Sequence, residues 1–157
     1  MTTDISHRQR FLAQGNVYLP HIAVIEKIIE ETPGVRTFHF NFKDEKLREE
    51  FTFESGQFAE YSVLGIGEAP FCISSSPTRS DHLEFALQRV GRVTNALHRL
   101  GVGAEIGFRG PYGNSFPLDF LNGKNLVFVG GGIGLAPLRS LIWNVIDNRD
   151  KYGNIDI

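Results

Sequence analysis

The sequence predicts a mainly β fold: a six-stranded antiparallel barrel with one small helix, followed by the first strand, loop and helix of an α/β lobe. Three observations predict it. Short segments with alternating apolar residues, separated by Gly and Pro turns, fill residues 17–118. A continuous apolar run then precedes a segment with four glycines, 130–134. Apolar residues at helical spacing follow these glycines.

The bulk composition restricts the class of protein. A chain of 157 residues holds one sizeable core, or one domain and a piece of another. Its net charge of −2 favours neither nucleic acid nor an anionic membrane, so we expect neither partner. The single cysteine, Cys72, excludes an internal disulfide and fits a reducing cytoplasm. No apolar stretch approaches the roughly 20 residues of a membrane span, so we expect no membrane insertion.

The barrel elements are predicted from alternation and turn residues. Residues 1–16 show no period and predict an N-terminal arm. Strands are predicted over residues 21–30, 36–42, 58–63, 70–76, 82–90 and 105–109. The 36–42 strand places Phe38, Phe40 and Phe42 on one face, which predicts a half-buried strand. Residues 43–50 predict a charged connector, and residues 94–100 a short helix capped by Thr94.

A different pattern begins after residue 118. The apolar run 125–129 is typical of a strand buried on both faces. Residues 135–146 predict a helix, and 154–157 the start of another strand. We therefore expect an arm over 1–16, a barrel over 17–118, and a partial lobe over 119–157.

The first candidate site is the segment from Pro70 to Pro77. Phe71 and Ile73 share one face of the predicted strand, while Cys72 and Ser74 share the other. An aromatic residue at a strand end can lie against a planar heterocycle, with small polar groups beside it. The alternative is a buried strand that ends in a serine-rich turn.

The second candidate site runs from Gln88 to Leu97. Gly91 permits a close backbone approach, and the amides that open the predicted helix favour a phosphate. Arg89 and Arg92 add positive charge at the same end. The alternative is a solvated turn with an ordinary cap and two surface arginines.

The third candidate site runs from Gly130 to Pro137, between the buried strand and the helix. Glycines there permit a tight turn and the approach of a diphosphate, while Pro137 fits the first helical turn. The alternative is close packing of strand on helix without a ligand. The histidines His21, His39, His82 and His98 share no ligand spacing, so we expect no metal site.

In order and spacing, these segments resemble the ferredoxin–NADP reductase superfamily over about residues 17–147. The branch most similar holds dihydroorotate dehydrogenase electron-transfer subunits, sulfhydrogenase gamma subunits and one of the subunits of anaerobic sulfite reductase. The family's Arg-Pro-Tyr-Ser motif corresponds here to Ala69-Pro70-Phe71-Cys72, and its phosphate motif to Gly91-Arg-Val-Thr94-Asn-Ala-Leu97. Gly110-Pro-Tyr-Gly113 and the glycine loop match the remaining two motifs.

The resemblance implies an FAD-binding barrel followed by part of an NAD(P)-binding lobe. Phe71 is implied to lie against the isoalloxazine, and Cys72 to stand near the flavin N5 as the candidate catalytic group. The implied cofactor-binding residues are Ala69, Pro70, Phe71, Cys72, Ile73, Leu87, Gln88, Arg89, Val90, Gly91, Arg92, Val93, Thr94, Gly131, Gly132, Ile133, Gly134 and Pro137.

The implied function is a flavin-binding electron-transfer module that passes electrons between NAD(P)H and an iron–sulfur partner, such as a hydrogenase or reductase subunit, in a hetero-oligomer. Ala69 departs from the family's diphosphate-binding arginine. The chain is also implied to be C-terminally truncated relative to the family, so handling of NAD(P)H would need another chain to complete the lobe. The alternatives are a non-catalytic structural or relay subunit and an inactive fragment.

Overall fold

The computed structural model describes residues 16–79 and 81–157. The predicted N-terminal arm, residues 1–16, therefore lies outside the described residues except for its last position. Six strands form one antiparallel sheet in the order β4-β3-β6-β1-β2-β5, which confirms the predicted number and direction. The strands are β1 His21–Thr32, β2 Val35–Phe42, β3 Phe58–Val63, β4 Gly67–Cys72, β5 Leu83–Gln88 and β6 Glu105–Tyr112.

The sheet curls so that its two end strands approach each other. The segment 73–76, which follows β4, runs beside β5 and bonds to it. The backbone N–H of Ser74 donates to the carbonyl of Glu84 at 2.8 Å, and the N–H of Glu84 donates to the Ser75 hydroxyl at 3.1 Å. The predicted 70–76 strand was wrong at both ends, because a hairpin turn starts β4 at Gly67 and these bonds are irregular.

The barrel interior is filled mainly by aromatic rings. Phe38 and Phe40 are fully buried and Phe42 nearly so, as the alternation in β2 predicts. Phe85 of β5 stacks on Phe38 with ring centroids 5.1 Å apart and lies 4.2 Å from the ring of Tyr61. Each such ring pair contributes about 0.5–1.5 kcal/mol beyond the burial of its area.

The prediction that β2 is half-buried was wrong, because two residues of its other face are also buried. Thr37 is 0% exposed, and Asn41 is 5% exposed. The Thr37 hydroxyl donates to Glu31 at 2.6 Å and accepts from Arg139 at 2.9 Å. The Asn41 amide donates to Glu26 at 2.9 Å. The outer face of β2 is therefore covered by polar partners that satisfy its Thr37 and Asn41 side chains.

Two short helices belong to the barrel, where the sequence predicted one. Within the expected charged connector, α1 spans Glu45–Glu50, and the Asp44 carboxylate caps it by accepting from the N–H of Leu47 at 3.0 Å. The second, α2, spans Arg92–Arg99 and packs against β3 and β4. It begins before Thr94, and its N-cap is Gly91.

The remaining chain forms the predicted strand, loop and helix. Strand β7 pairs in parallel with β8, which confirms the start of an α/β lobe. A second hydrophobic cluster forms here, built around Leu126, Phe128 and Val145, and Phe116 and Leu118 pack against it. The elements are α3 Leu118–Leu121, β7 Leu126–Val127, a 3₁₀ turn Gly132–Gly134, α4 Leu135–Asp147, a 3₁₀ turn Arg149–Lys151 and β8 Ile155–Asp156.

Strand β7 is shorter and less buried than predicted. Leu126 and Phe128 face the second cluster, but Val127 is 70% exposed and Val129 is 85% exposed. The prediction of burial on both faces was wrong because α4 covers one face only in the described residues. The apolar run 125–129 could not show whether one face of the strand or both would be covered by other elements.

Helix α4 contacts the barrel through a polar seam, formed by Ser55, Thr78 and Arg79 of the barrel with Ser140 and Asp147 of α4. The Ser140 hydroxyl donates to the Ser55 hydroxyl at 3.1 Å, and both residues are buried. Arg79 donates twice to the Asp147 carboxylate, at 3.0 and 2.8 Å. Its guanidinium also lies 4.0 Å from the ring centroid of Trp143. The lobe is therefore held to the barrel by hydrogen bonds and a bidentate ion pair.

Replacing the central aromatic ring is expected to destabilise the barrel strongly. Phe85→Ala removes a ring that is 0% exposed, so it should lower the free energy of unfolding by about 3–5 kcal/mol. Val102→Ala, at a side chain that is 66% exposed, should change it by less than about 0.5 kcal/mol. Urea denaturation followed by circular dichroism measures both. Equal effects of the two variants would contradict the packing described.

The seam is expected to be sensitive to acid. Hydrogen bonds from Arg79 and then Thr78 lower the pKa of Asp147 below 3.8. A depressed pKa stabilises the fold at higher pH, and that stabilisation is lost as pH falls through the lowered value. The emission of Trp143, the sole tryptophan in the sequence, should therefore change only below about pH 4 in the wild type.

At neutral pH, Asp147→Asn should shift that emission already, because Arg79 loses its charged partner. The matched control is Asp150→Asn, a change at an exposed carboxylate outside the seam. If Trp143 emission in Asp147→Asn matched that of the wild type at every pH of the titration, the ion pair between Arg79 and Asp147 would not hold α4 against the barrel.

Candidate functional site

The start of α2 presents backbone N–H groups for an anion. The Thr94 hydroxyl accepts from the N–H groups of Val90 at 3.0 Å and Gly91 at 2.8 Å. The prediction that Thr94 is the N-cap was wrong. Thr94 lies in the first turn of α2, and its hydroxyl accepts from the N–H of the actual N-cap residue, Gly91. The amides of Arg92 and Val93 have no acceptor within the helix, because the first N–H groups of any helix lack one. These groups and the helix dipole favour a negative charge.

The two arginines beside this helix end have different surroundings. The Arg92 guanidinium donates to the carbonyl of Ile66 in the turn between β3 and β4. A Cβ placed on Gly67 would lie 3.5 Å from that guanidinium and 3.6 Å from the Val93 side chain. Arg89 is exposed. Both arginines are exposed, but Arg92 joins α2 to the start of β4 through its bond to Ile66, whereas no such bond holds the Arg89 guanidinium among the described residues.

The other end of β4 carries the predicted aromatic position. Phe71 is half-buried, and its ring stacks on Phe85 at 6.1 Å and lies 5.9 Å from Tyr61. One side of the ring is thus packed against the core. Four residue steps from Gly67 to Phe71 span about 13 Å, so β4 holds the helix end and the aromatic position at about this separation. The structure places the first candidate site at one end of β4 and the second beside its other end.

Burial determines the charge state at Cys72. Burial raises the pKa of the half-buried Cys72 thiol, so the thiol is protonated at neutral pH. Burial, and then the proximity of Cys72, raises the pKa of the fully buried Tyr61 hydroxyl well above its usual range. The hydroxyls of Tyr61 and Ser74 are buried without a hydrogen-bond partner among the described residues. Sequence reasoning included Ser74 in the first candidate segment but not among the implied cofactor-binding residues, and it did not single out Tyr61, because a buried tyrosine in a strand is common.

The remaining barrel residues of the predicted site divide by burial. Ile73 and Leu87 are 1% and 2% exposed and face the core, so a ligand could reach only their backbone. Ala69 is half-buried, whereas Pro70 and Gln88 are exposed. Val90 is 75% exposed.

The glycine loop is open to solvent over most of its length. A Cβ added at Gly131, Gly132 or Gly134 would meet no atom within 4 Å, and Gly132 has a positive φ of 55°. Ile133 is 41% exposed. A Cβ on Gly130 would meet the Leu135 backbone at 3.4 Å. That is an ordinary van der Waals distance, so packing does not require glycine at position 130, and the other three glycines leave their backbone accessible.

The loop lies next to the barrel and continues into α4. Its 3₁₀ turn packs beside β5, and Pro137 lies in the first turn of α4 as predicted. A cavity of about 300 Å³ lies elsewhere, beside β2, with Phe42, Phe51 and Arg79 among its lining. It includes none of the predicted site residues.

Known proteins share this sequence and fold. No protein-family model matches the chain. Sulfhydrogenase 1 subunit gamma of Pyrococcus furiosus is 40% identical over 148 residues, which are 94% of this chain and 51% of that protein. A probable dihydroorotate dehydrogenase B (NAD(+)) electron transfer subunit of Methanocaldococcus jannaschii is 40% identical over 124 residues, 78% of this chain and 42% of that protein.

A crystal structure of a ferredoxin NADP+ reductase from Neisseria gonorrhoeae, with bound FAD and NADP, shares the fold. Its TM-score is 0.69 at 23% identity, covering 85% of this chain and 54% of that one. The sequence is thus similar to gamma and electron transfer subunits, and the fold is that of the ferredoxin–NADP reductases. The chain spans about half the length of the curated relatives it matches.

No helix in the described residues is both long enough and apolar enough to cross a bilayer. The motif segments lie beside strands of the barrel: α2 contacts β3 and β4, and the 3₁₀ turn before α4 contacts β5. At Ala69, where the motif that the sequence resembles has an arginine, the half-buried side chain leaves no cation.

Removing the Thr94 hydroxyl is expected to loosen the start of α2. Thr94→Val keeps the shape of the side chain but leaves the Val90 and Gly91 amides without their acceptor. The free energy of unfolding should fall by about 1–2 kcal/mol. Thr94→Ser keeps the hydroxyl and is the matched control, with a change below about 0.5 kcal/mol. Urea denaturation with an unchanged slope measures both, and a stable Thr94→Val variant would contradict the bonding described.

Proposed function

We propose that this chain holds FAD across β4 and the start of α2, as the flavin module of an electron-transfer oxidoreductase. The single observation that carries the proposal is the position of the two binding features at opposite ends of one strand. Phe71 and Cys72 lie at one end of β4, and the side chains of Arg92 and Val93, at the start of α2, adjoin the other. A planar ring with a diphosphate tail requires this pairing of aromatic and anion-binding ends.

The residues of the chain fit this group in most respects. Phe71 would cover the isoalloxazine with the part of its ring not packed on Phe85, and Cys72 would stand near N5 as a neutral thiol. Gly91 opens a path to the amides, because a Cβ there would meet nothing within 4 Å. The missing motif arginine at Ala69 is the departure, and we propose that exposed Arg89 supplies the positive charge.

Bound FAD would supply the chemistry that joins a two-electron donor to a one-electron acceptor. The protein's own residues bind and orient it. Ile73 and Leu87 would contribute backbone contacts, and Thr94 would hold the cap in the shape that presents the amides. The barrel interior beside β4 disfavours negative charge, as the raised pKa values of Cys72 and Tyr61 indicate.

We propose NAD(P)H as the electron donor and an iron–sulfur subunit as the partner. The accessible backbone at Gly131, Gly132 and Gly134 supports a dinucleotide site. Relatives named as a sulfhydrogenase subunit and an electron transfer subunit support a hetero-oligomer with a hydrogenase or reductase. We place the barrel at 17–118, the lobe at 119–157 and the chain in the cytoplasm, where a free thiol such as Cys72 persists.

A second candidate function is a relay or structural subunit without its own nicotinamide reaction. The exposed Val127 and Val129 favour it, since uncovered apolar side chains on a strand mark a surface that another element or subunit covers. Bleaching of bound flavin by NADH or NADPH distinguishes the two functions. If the chain is a reductase, NADH or NADPH bleaches the flavin bound to the purified chain alone. If it is a relay, the flavin is bleached only when the partner subunit is also present.

Flavin binding is tested directly by titrating FAD into the purified chain and following quenching of flavin fluorescence. Arg89→Gln should weaken FAD binding by about 10- to 150-fold, because a charge-assisted hydrogen bond to the diphosphate contributes roughly 1.5–3 kcal/mol. Arg99→Gln, an exposed arginine at the opposite end of α2, is the matched control and should leave binding unchanged.

The proposal fails if the folded chain takes up no FAD. It fails at Arg89 if the two arginine variants bind FAD equally well. Circular dichroism of each variant confirms that the comparison is made on folded protein.

A further inference from the structure

Two histidines and a glutamate converge on the outer face of the barrel, away from the motif residues. His39 of β2 lies directly opposite Glu84 of β5 in the strand register, and His82 immediately precedes β5. The two imidazole rings stack with centroids 4.2 Å apart and planes 12° from parallel. The Glu84 Oε1 atom lies 3.0 Å from His82 Nε2 and 3.4 Å from His39 Nε2.

The hydrogen bonds around this cluster allow His39 Nε2, His82 Nε2 and Glu84 Oε1 each to keep a lone pair on the side where the three atoms approach one another. Asp81 lies 3.1 Å from His82 Nδ1, so a proton placed there donates to the Asp81 carboxylate and leaves the Nε2 lone pair towards Glu84. His39 Nε2 is buried and has no hydrogen-bond partner among the described residues, despite its distance of 3.4 Å from Glu84. A cation beside Oε1 would satisfy these lone pairs once the two stacked rings tilt so that both Nε2 atoms point at it.

We propose that His39 Nε2, His82 Nε2 and Glu84 Oε1 bind a divalent transition-metal ion, with water completing its coordination. The three atoms all lie within 4.8 Å of one another. Tetrahedral zinc with ligands at about 2.0–2.1 Å separates neighbouring ligand atoms by about 3.3 Å, close to the two distances to Oε1. Imidazole with carboxylate suits Zn²⁺, Fe²⁺ and similar ions, whereas Mg²⁺ and Ca²⁺ prefer oxygen ligands.

The surroundings supply the outer contacts that metal sites commonly have. The Asp81 carboxylate orients His82 through Nδ1, the arrangement that fixes the tautomer of a ligating histidine. Arg139 of α4 donates to Oε2 of Glu84, which leaves Oε1 for the ion.

Zinc binding to the full chain tests the inference. After treatment with a chelator, the protein is titrated with Zn²⁺ by calorimetry, and its metal content is measured by mass spectrometry. We expect one equivalent to bind. His82→Gln removes a ligand and should weaken binding by more than the roughly 10- to 100-fold that the loss of an outer contact costs. Asp81→Asn should fall within that smaller range.

The matched control is His21→Gln, at an exposed histidine outside the cluster, which should bind zinc as the wild type does. X-ray absorption at the zinc edge should show nitrogen and oxygen ligands without sulfur, which excludes capture by Cys72. Flavin content and melting temperature of the His82→Gln variant establish that it is folded.

Three results would overturn the inference: no zinc bound at one equivalent, equal binding in His82→Gln and the wild type, or a sulfur ligand. Any of these would leave His82 as a hydrogen-bond partner of Asp81 and Glu84 with no metal between the three residues. Because the cluster shares no residue with the proposed flavin site, none of these results bears on FAD binding.

Discussion

The backbone bridge between Ser74 and Glu84 is the contact on which the arrangement of sites depends. It closes the sheet by joining the segment after β4 to β5, the two strands at opposite ends of the strand order. On one side of this closure lies the end of β4 with Phe71 and Cys72. On the other side, Glu84 is held in place to face the two histidines. An unclosed sheet would leave an edge strand and would separate these features.

The interfaces of the molecule differ in chemistry. Inside the barrel, aromatic rings pack by apolar contact. The Tyr61 hydroxyl among them is buried and has no hydrogen-bond partner in the described residues. Between the barrel and α4 the contacts are charged or hydroxylic, and Arg139 alone binds Thr37, Glu31 and Glu84. Interfaces of this polar kind resemble those between domains that can shift against each other. Through Arg139, the cluster of His39, His82 and Glu84 is connected to α4, the helix that follows the glycine loop.

Local patterns predicted much of this fold, and long-range register accounts for most of what they missed. Alternation identified β2 and its phenylalanine face, because the period of a strand is a property of neighbouring residues. The same pattern could not show that Arg139 would bury Thr37, or that strand pairing would bring His39 to Glu84 and His82. At α2, the residues around Thr94 fitted both a cap and a position one turn inside, and only the backbone of Gly91 distinguishes them. The prediction that both faces of β7 are buried was wrong for a related reason. An apolar composition does not show whether one face of a strand or both are covered by other elements.

The buried thiol at the end of β4 has a consequence for how the chain withstands oxidative stress. Peroxides attack the thiolate form of cysteine, and its abundance depends on pKa and access to solvent. Cys72 is half-buried with a raised pKa, so little thiolate exists at neutral pH. In the proposed electron-transfer function, the protein would meet peroxide formed from traces of oxygen at its own surface. Placing its one sulfhydryl in this environment spares it from conversion to sulfenic acid.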